Sequence, residues 1–188
     1  MDVKNKILNT SLDLFTDYGM QGTSTKLITE KAKISNGALF HYFQNKDEIL
    51  LVLFKQIKLE VLDYVYDKVI SYSTTINFVK QFYSANILWG IKNPKKKLFL
   101  NMFSHHPKVR EYINFDNIDG YMIINNFIID SINTNIIVSK NINIFYYIFS
   151  GHCNGVIEYL TQFPNEDVDK IIEHSFCSFW RGISGNKE

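Results

Sequence analysis

The chain has 188 residues, enough to bury the core of one compact domain or of a small module joined to a larger one. Hydrophobic residues make up 46 %, including 15 Phe and 11 Tyr, and this excludes a disordered chain. A formal net charge of +1 argues neither for nor against a polyanionic partner. The two cysteines, Cys153 and Cys177, form no disulfide framework and no Cys-x-x-Cys metal pair, and they fit a reducing interior.

The predicted elements are helical throughout. Val3, Ile7, Leu8, Leu12 and Phe15 make one apolar stripe, and Tyr18-Gly19 predicts its end, with Gly19 in a left-handed cap. Ser24 or Thr25 can cap a short second helix through Leu27, Ile28 and Ala32. Ser35 caps a third, in which Leu39 and Phe43 lie one turn apart and point inward. Asn45 and Glu48 form a capping-box pattern before a long fourth helix with Ile49, Leu50, Leu53, Ile57, Val61, Leu62 and Val65 on its buried face.

After a polar break at Ser71 to Thr75, a helix runs around Phe78, Phe82 and Trp89. Asn93-Pro94 starts the next, and Pro107 interrupts the pattern. A helix from about Ile118 to Asn133 follows. Two clear helices close the chain. One has Phe145, Ile148, Phe149, His152, Val156, Tyr159, Leu160 and Phe163 on a face. The other is capped by Asn165, with Glu166 and Asp167 in its first turn and a stripe of Val168, Ile171, Ile172, Ser175, Phe176, Phe179, Trp180 and Ile183. The fold class expected is all-α, about nine helices. The N-terminus reads as an amphipathic helix, not a signal peptide. The most apolar run, Tyr121 to Val138, is too interrupted by Asn125, Asn126, Asp130 and Asn133 to span a bilayer. A cytoplasmic protein with no membrane partner is expected.

Three short helices, the last two joined by a tight turn, describe a helix-turn-helix. A third helix enters the major groove only if one face is anchored and the other is free. Leu39 and Phe43 anchor it, leaving Asn36, Gly37, Ala38, His41 and Tyr42 outward. The run from Thr25 to Leu50, TKLITEKAKISNGALFHYFQNKDEIL, resembles the DNA-binding signature of the tetracycline-repressor (TetR) family.

That resemblance implies a module at residues 1–46, with residues 47–188 serving effector binding and dimerisation. It also implies residue roles. Thr25, Lys26 and Lys46 would meet phosphate, Lys26 alternatively a guanine edge. Asn36 would pair with adenine, Ala38 would touch a thymine methyl, and His41 and Tyr42 would line the backbone or groove wall. Ser35, Gly37 and Phe40 complete the set. Phe40 stands where the family usually has Tyr, removing a hydroxyl that could bind phosphate. Lys33 stands where it usually has Gly, so a left-handed turn there costs roughly 1 kcal/mol. Residues 1–50 carry six Lys against six acidic residues, so the module by itself is not basic.

A two-fold homodimer is expected from Gly151, Gly155, Tyr159, Ile172, Phe176, Phe179 and Trp180, on two final helices that could pair with a second copy. Its partner would be double-stranded operator DNA with two-fold symmetry. Phe82, Trp89, Phe99, Phe103, His106, Tyr121, Tyr146, Phe149 and His152 are the candidates for a small-molecule effector pocket, suited to a hydrophobic or aromatic ligand. The run Lys95-Lys96-Lys97 reads as a solvated face. His105-His106-Pro107 lacks the spacing of a helical metal pair, so no metal or cofactor is expected. No catalytic residue is assigned: Cys153 has no activating elbow, and His152 lies on another face of its helix. The alternatives are an architectural DNA-binding protein without effector, or a helical-bundle enzyme.

Overall fold

Local signals set most of the helix boundaries. A computed structural model describes residues 2–69, 74–112 and 121–185, and within them ten helices. The first three are α1 (Val3–Gly22), α2 (Thr25–Ala32) and α3 (Asn36–Tyr42). Ser24 Oγ accepts from Leu27 N at 3.0 Å and caps α2, which settles the choice between Ser24 and Thr25. Ser35 Oγ accepts from Ala38 N at 3.1 Å and caps α3. Asn45 Oδ1 accepts from Glu48 N at 2.9 Å at the start of α4 (Lys46–Lys68). The return half of that expected box is displaced by one residue, because Glu48 Oε2 accepts from Gln44 N.

α1 does not stop at Gly19 as expected. It kinks there and resumes to Gly22, with Gly19 at φ 68° and ψ 177°, a region open essentially to glycine alone and distinct from a left-handed cap. The kink leaves carbonyls without helical donors, and the fully buried Thr23 hydroxyl lies 2.8 Å from Gly19 O and 3.1 Å from Leu14 O.

The left-handed residue is Lys33, at φ 54° and ψ 52°, whose N–H closes α2 on Glu30 O. A side chain there carries strain that glycine lacks. Lys33→Gly is expected to raise stability by roughly 0.5–1 kcal/mol once glycine's extra freedom in the unfolded chain is subtracted. A denaturant titration checks this; no gain would mean the turn relaxes around lysine.

The remaining helices are α5 (Thr75–Lys92), α6 (Pro94–Phe103), α7 (Pro107–Tyr112), α8 (Met122–Asn133), α9 (Ile142–Gln162) and α10 (Val168–Ile183). α7 raises the number from nine to ten. Pro107 is no simple interruption: proline is tolerated at the first helical position and here opens a helix. The expected start of α8 near Ile118 and most of the polar break after Ser71 lie outside the described residues.

The chain divides into two compact units. One is Met1–Glu60 with Asn93–Asn114; the other is Val61–Lys92 with Phe115–Glu188. In the first, α1, α2 and α3 enclose Ile7, Leu8, Phe15, Ile28, Leu39 and Phe43, all buried. α6 packs on α1 through Phe99 and Phe103, the latter meeting Phe15 edge-on at 6.1 Å. Each phenyl ring contributes about 1.5–3 kcal/mol by leaving water. Lys95 of α6 reaches Asp13 at 2.7 Å and Asp17 at 3.6 Å on α1, and Lys96 pairs with Glu60. These lysines are cross-links between helices, not simply a solvated face.

In the second unit α5 lies against α9 and α10, with α8 beside α9. Its centre is aromatic: Phe82 stacks on Phe149 at 4.5 Å, Tyr83 on Phe179 at 5.3 Å, and Phe78 meets Phe127 at 4.1 Å.

Candidate nucleic-acid interface

The α3 helix is held from beneath. Leu39 and Phe43 are 0 % and 2 % exposed, so its other face is free by geometry. Asn36, Gly37, His41 and Tyr42 are exposed, Ala38 is half-buried, and Phe40 is 53 % exposed. The His41 and Tyr42 rings meet edge-on at 5.0 Å. An added Cβ on Gly37 would find nothing nearer than Ser35 Oγ at 3.9 Å, so packing within the chain does not require glycine there.

The polar residues are less uniform. Thr25, the first residue of α2, is half-buried, and Lys26 is exposed with only a 3.9 Å contact to Glu30. Ser35 spends its hydroxyl on the α3 cap. Asn36 Oδ1 accepts from Thr29 Oγ1 at 2.9 Å, leaving its amide N–H groups as the side available to a partner. Lys46 turns inward: its ammonium donates to Met20 O and Thr23 O, both at 2.7 Å, fastening the start of α4 to the end of α1. One ammonium proton remains for a phosphate. Lys46→Met, which keeps the stem and removes both bonds, is expected to cost about 2 kcal/mol, read as a lowered denaturation midpoint.

The unit that carries α3 is basic, although residues 1–50 are not. Met1–Glu60 with Asn93–Asn114 holds thirteen Lys and Arg against eight Asp and Glu; the other unit holds seven against eleven. α6 and α7 bring the difference, with Lys95, Lys96, Lys97, Lys108 and Arg110. Asp13 and Asp17 are partly neutralised by Lys95, whose ammonium its hydrogen bond to Asp13 holds above the ordinary lysine range. No local sequence signal announces this, since the partners lie about eighty residues apart.

The candidate effector residues fall into both units. Phe99, Phe103 and His106 belong to the first, where the two phenyl rings fill its core. Phe82, Trp89, Tyr121, Tyr146 and Phe149 are buried in the second, and His152 is half-buried there. Two polar arrangements in that unit were missed from sequence, because Tyr83, Ser175 and Asn125 gave no distinguishing pattern. Tyr146 Oη donates to Asn125 Oδ1 at 2.6 Å. Tyr83 Oη donates to Ser175 Oγ at 3.1 Å and stands 2.7 Å from His152 Nδ1. The tyrosine has one proton, so His152 Nδ1 must carry its own and donate it to Tyr83. Burial pushes both phenols up, beyond the ordinary tyrosine range.

Burial also holds His152 below its ordinary value of 6.5. Its folded pKa is therefore depressed relative to the unfolded chain, which binds the proton more readily as pH falls. Stability is expected to be flat above about pH 7 and to decline as pH drops below 6.5, levelling off below the folded pKa. His152→Gln should remove that segment of the pH–stability curve; an identical curve in the variant would assign the decline to other groups.

Of the residues considered for pairing between copies, Gly151, Gly155 and Tyr159 are exposed on α9. Ile172, Phe176 and Phe179 are buried within their own unit and Trp180 is half-buried, so the α10 stripe serves the chain's own core. The outward side of α10 carries Lys170, Glu173, His174, Cys177 and Arg181. Cys153 is 2 % exposed, out of reach of a substrate. No described helix is long and apolar enough to cross a membrane.

Residues 7–53 match the model of the bacterial regulatory proteins, tetR family. YuxN, an HTH-type transcriptional regulator of Bacillus subtilis (strain 168), is 39 % identical over 62 residues, which are 33 % of this chain and 19 % of that protein. The match thus spans about a fifth of that relative's length. A Shewanella sp. PV-4 structure assigned to the tetR family of transcription regulators superposes with a TM-score of 0.87 and 26 % identity, covering 98 % of this chain and 99 % of that one. A TetR family regulator from Marinobacter aquaeolei VT8 has the same fold, with a TM-score of 0.86 at 17 % identity over 98 % of this chain and 96 % of that one.

Proposed function

We propose that the chain is a regulator of the TetR kind, a sequence-specific DNA-binding transcriptional regulator and a repressor released from its operator by a small ligand. The tetR family match over residues 7–53 and the fold shared with a tetR family regulator support this reading. The observation that carries this reading is the α3 helix, anchored by Leu39 and Phe43 with its opposite face open. Gly37 supports it: glycine costs about 1 kcal/mol in a helix, and close approach of a DNA backbone would account for it. Thr25, Lys26, Asn36, Phe40, His41 and Tyr42 are the contacting residues.

The DNA-bound form is a two-fold dimer joined through α9. Gly151 and Gly155 sit mid-helix with nothing within 4 Å of an added Cβ, so the chain's own packing does not account for them. Exposed Ile144, Tyr147, Ile148 and Tyr159 flank them. Close approach of a second α9 would use both features. The effector is a hydrophobic or aromatic molecule bound in the second unit, where Tyr83, His152, Tyr146 and Asn125 offer polar groups among aromatic rings. It acts only by binding one of two states better.

Selection of duplexes from a random library, at near-physiological salt, tests the central reading. Recovery of one two-fold-symmetric site is the expected result; sequence-blind binding alone would overturn it. The stacked aromatic interior favours one other reading, an architectural DNA-binding protein with a dry core and no effector. A ligand screen by melting temperature separates the two, since only a regulator shifts.

A further inference from the structure

We propose that Lys108 of α7, outside the helix-turn-helix, is a further DNA-backbone contact, set beside the turn that links α3 to α4. The proposal rests on the DNA-binding reading and extends its surface. Lys108 lines a cleft of about 280 Å3 with Gln44, Asn45, Asp47, Glu48 and Leu51, all in the same compact unit. Gln44 and Asn45 lie two and three residues past the end of α3, so the Lys108 side chain opens near the place where a duplex held by α3 presents its phosphates.

Three features make the ammonium available. Its partner in the chain is Glu111 at 3.1 Å, three residues along the same helix, with both side chains more than half exposed. Such exposed pairs are weak and exchange readily for a phosphate. Second, Glu48 accepts from Gln44 N, which holds one of its oxygens at the start of its own helix. Third, Val109 is 0 % exposed and roots α7 in the unit, so the lysine projects from a fixed base. The acids of the cleft, Asp47 and Glu48, would repel a phosphate at this spot, and Lys108 is the basic side chain that lines the cleft with them. Without α6 and α7 the unit is nearly neutral, with eight Lys against seven acidic residues in Met1–Glu60; with them it is basic. DNA affinity then draws on a segment some sixty residues beyond the motif.

The test uses the full-length chain with two duplexes, one selected from a random library and one of scrambled sequence, titrated across salt concentrations. Lys108→Gln is expected to weaken both by the same factor and to make the dependence of log K on log salt shallower by about 1 per protomer bound. Lys140→Gln, in the acidic unit, is the control for net charge and should leave the slope unchanged. The Asp47→Asn background separates contact from screening: a contact persists there, so Lys108→Gln still flattens the slope. An unchanged slope in Lys108→Gln, an equal change in Lys140→Gln, or an effect that vanishes in Asp47→Asn each overturns the proposal while leaving wild-type binding intact. Wild-type protein that binds neither duplex overturns the DNA-binding reading, and this proposal with it.

Discussion

Replacing both Gly151 and Gly155 by leucine is expected to turn a dimer into a monomer without harm to the fold. In sedimentation at micromolar concentration the wild-type chain should run at twice its 22.0 kDa mass and the double variant at that mass. The physical basis is asymmetric. Beyond the backbone of α9 itself, neither glycine has a neighbour within 4 Å of an added Cβ, so leucine meets open space in the isolated protomer. Removing glycine from a helix interior also gains about 1 kcal/mol per site. Two closely approaching α9 helices, by contrast, have no room for four leucine side chains, and overpacking of even one methylene layer costs roughly 1–3 kcal/mol. The signature is therefore a protein that melts no lower by circular dichroism while losing its partner and its affinity for a two-fold site. A double variant that remains dimeric would move the interface off the centre of this face.

Phe40 and Phe43 provide the second contrast, three residues apart on α3 and at its end. Phe43→Ala is expected to cost about 3–5 kcal/mol, the range for truncating a buried phenylalanine, and to abolish DNA binding through loss of the anchor. Phe43 is 2 % exposed and its N–H closes α3 on Leu39 O. Phe40→Ala removes a side chain that is 53 % exposed and should change stability by less than about 0.5 kcal/mol. It should nevertheless lower DNA affinity measurably, because the ring is exposed on the open face of α3. Chemical denaturation and duplex titration on the same preparations separate the two effects. Equal stability losses would mean that α3 sits differently from the orientation described, and an unchanged affinity in Phe40→Ala would take that ring out of the interface.

The electrostatics show how the two units differ. The unit bearing α3 has an excess of basic residues and the other an excess of acids, although the whole chain is nearly neutral. A polyanion is therefore attracted to one unit and repelled by the other, and a small net charge for the whole chain conceals this. The cross-links Lys95 to Asp13 and Lys96 to Glu60 join α6 to α1 and α4 in the basic unit. As exposed or half-exposed pairs they add little stability each. Their larger effect is on which acids remain uncompensated.

What the sequence by itself determined lies within a turn or two of chain, although not all that is local was legible: α1 passes Gly19, and Asp167 rather than Asn165 caps α10. Ser24, Ser35 and Asn45 cap helices because a short oxygen-bearing side chain reaches the N–H three residues on, whatever surrounds it. The inward pair Leu39 and Phe43 follows from equally short-range geometry, whereas the left-handed turn at Lys33 is implied by the family resemblance. The all-helical class follows from the period of the apolar residues. Only the tertiary structure decided what depends on partners distant in the chain. It turned the α10 stripe into the interior of its own unit, sent the Lys46 ammonium to two carbonyls more than twenty residues earlier, and made Lys95 a partner of α1. It also divided the aromatic residues between two cores, which their spacing could not do. An apolar stripe states that a face will be covered and is silent on what covers it, because the hydrophobic effect has no direction and no memory of sequence distance. A charged side chain is equally indifferent to whether its counter-charge is four residues away or eighty.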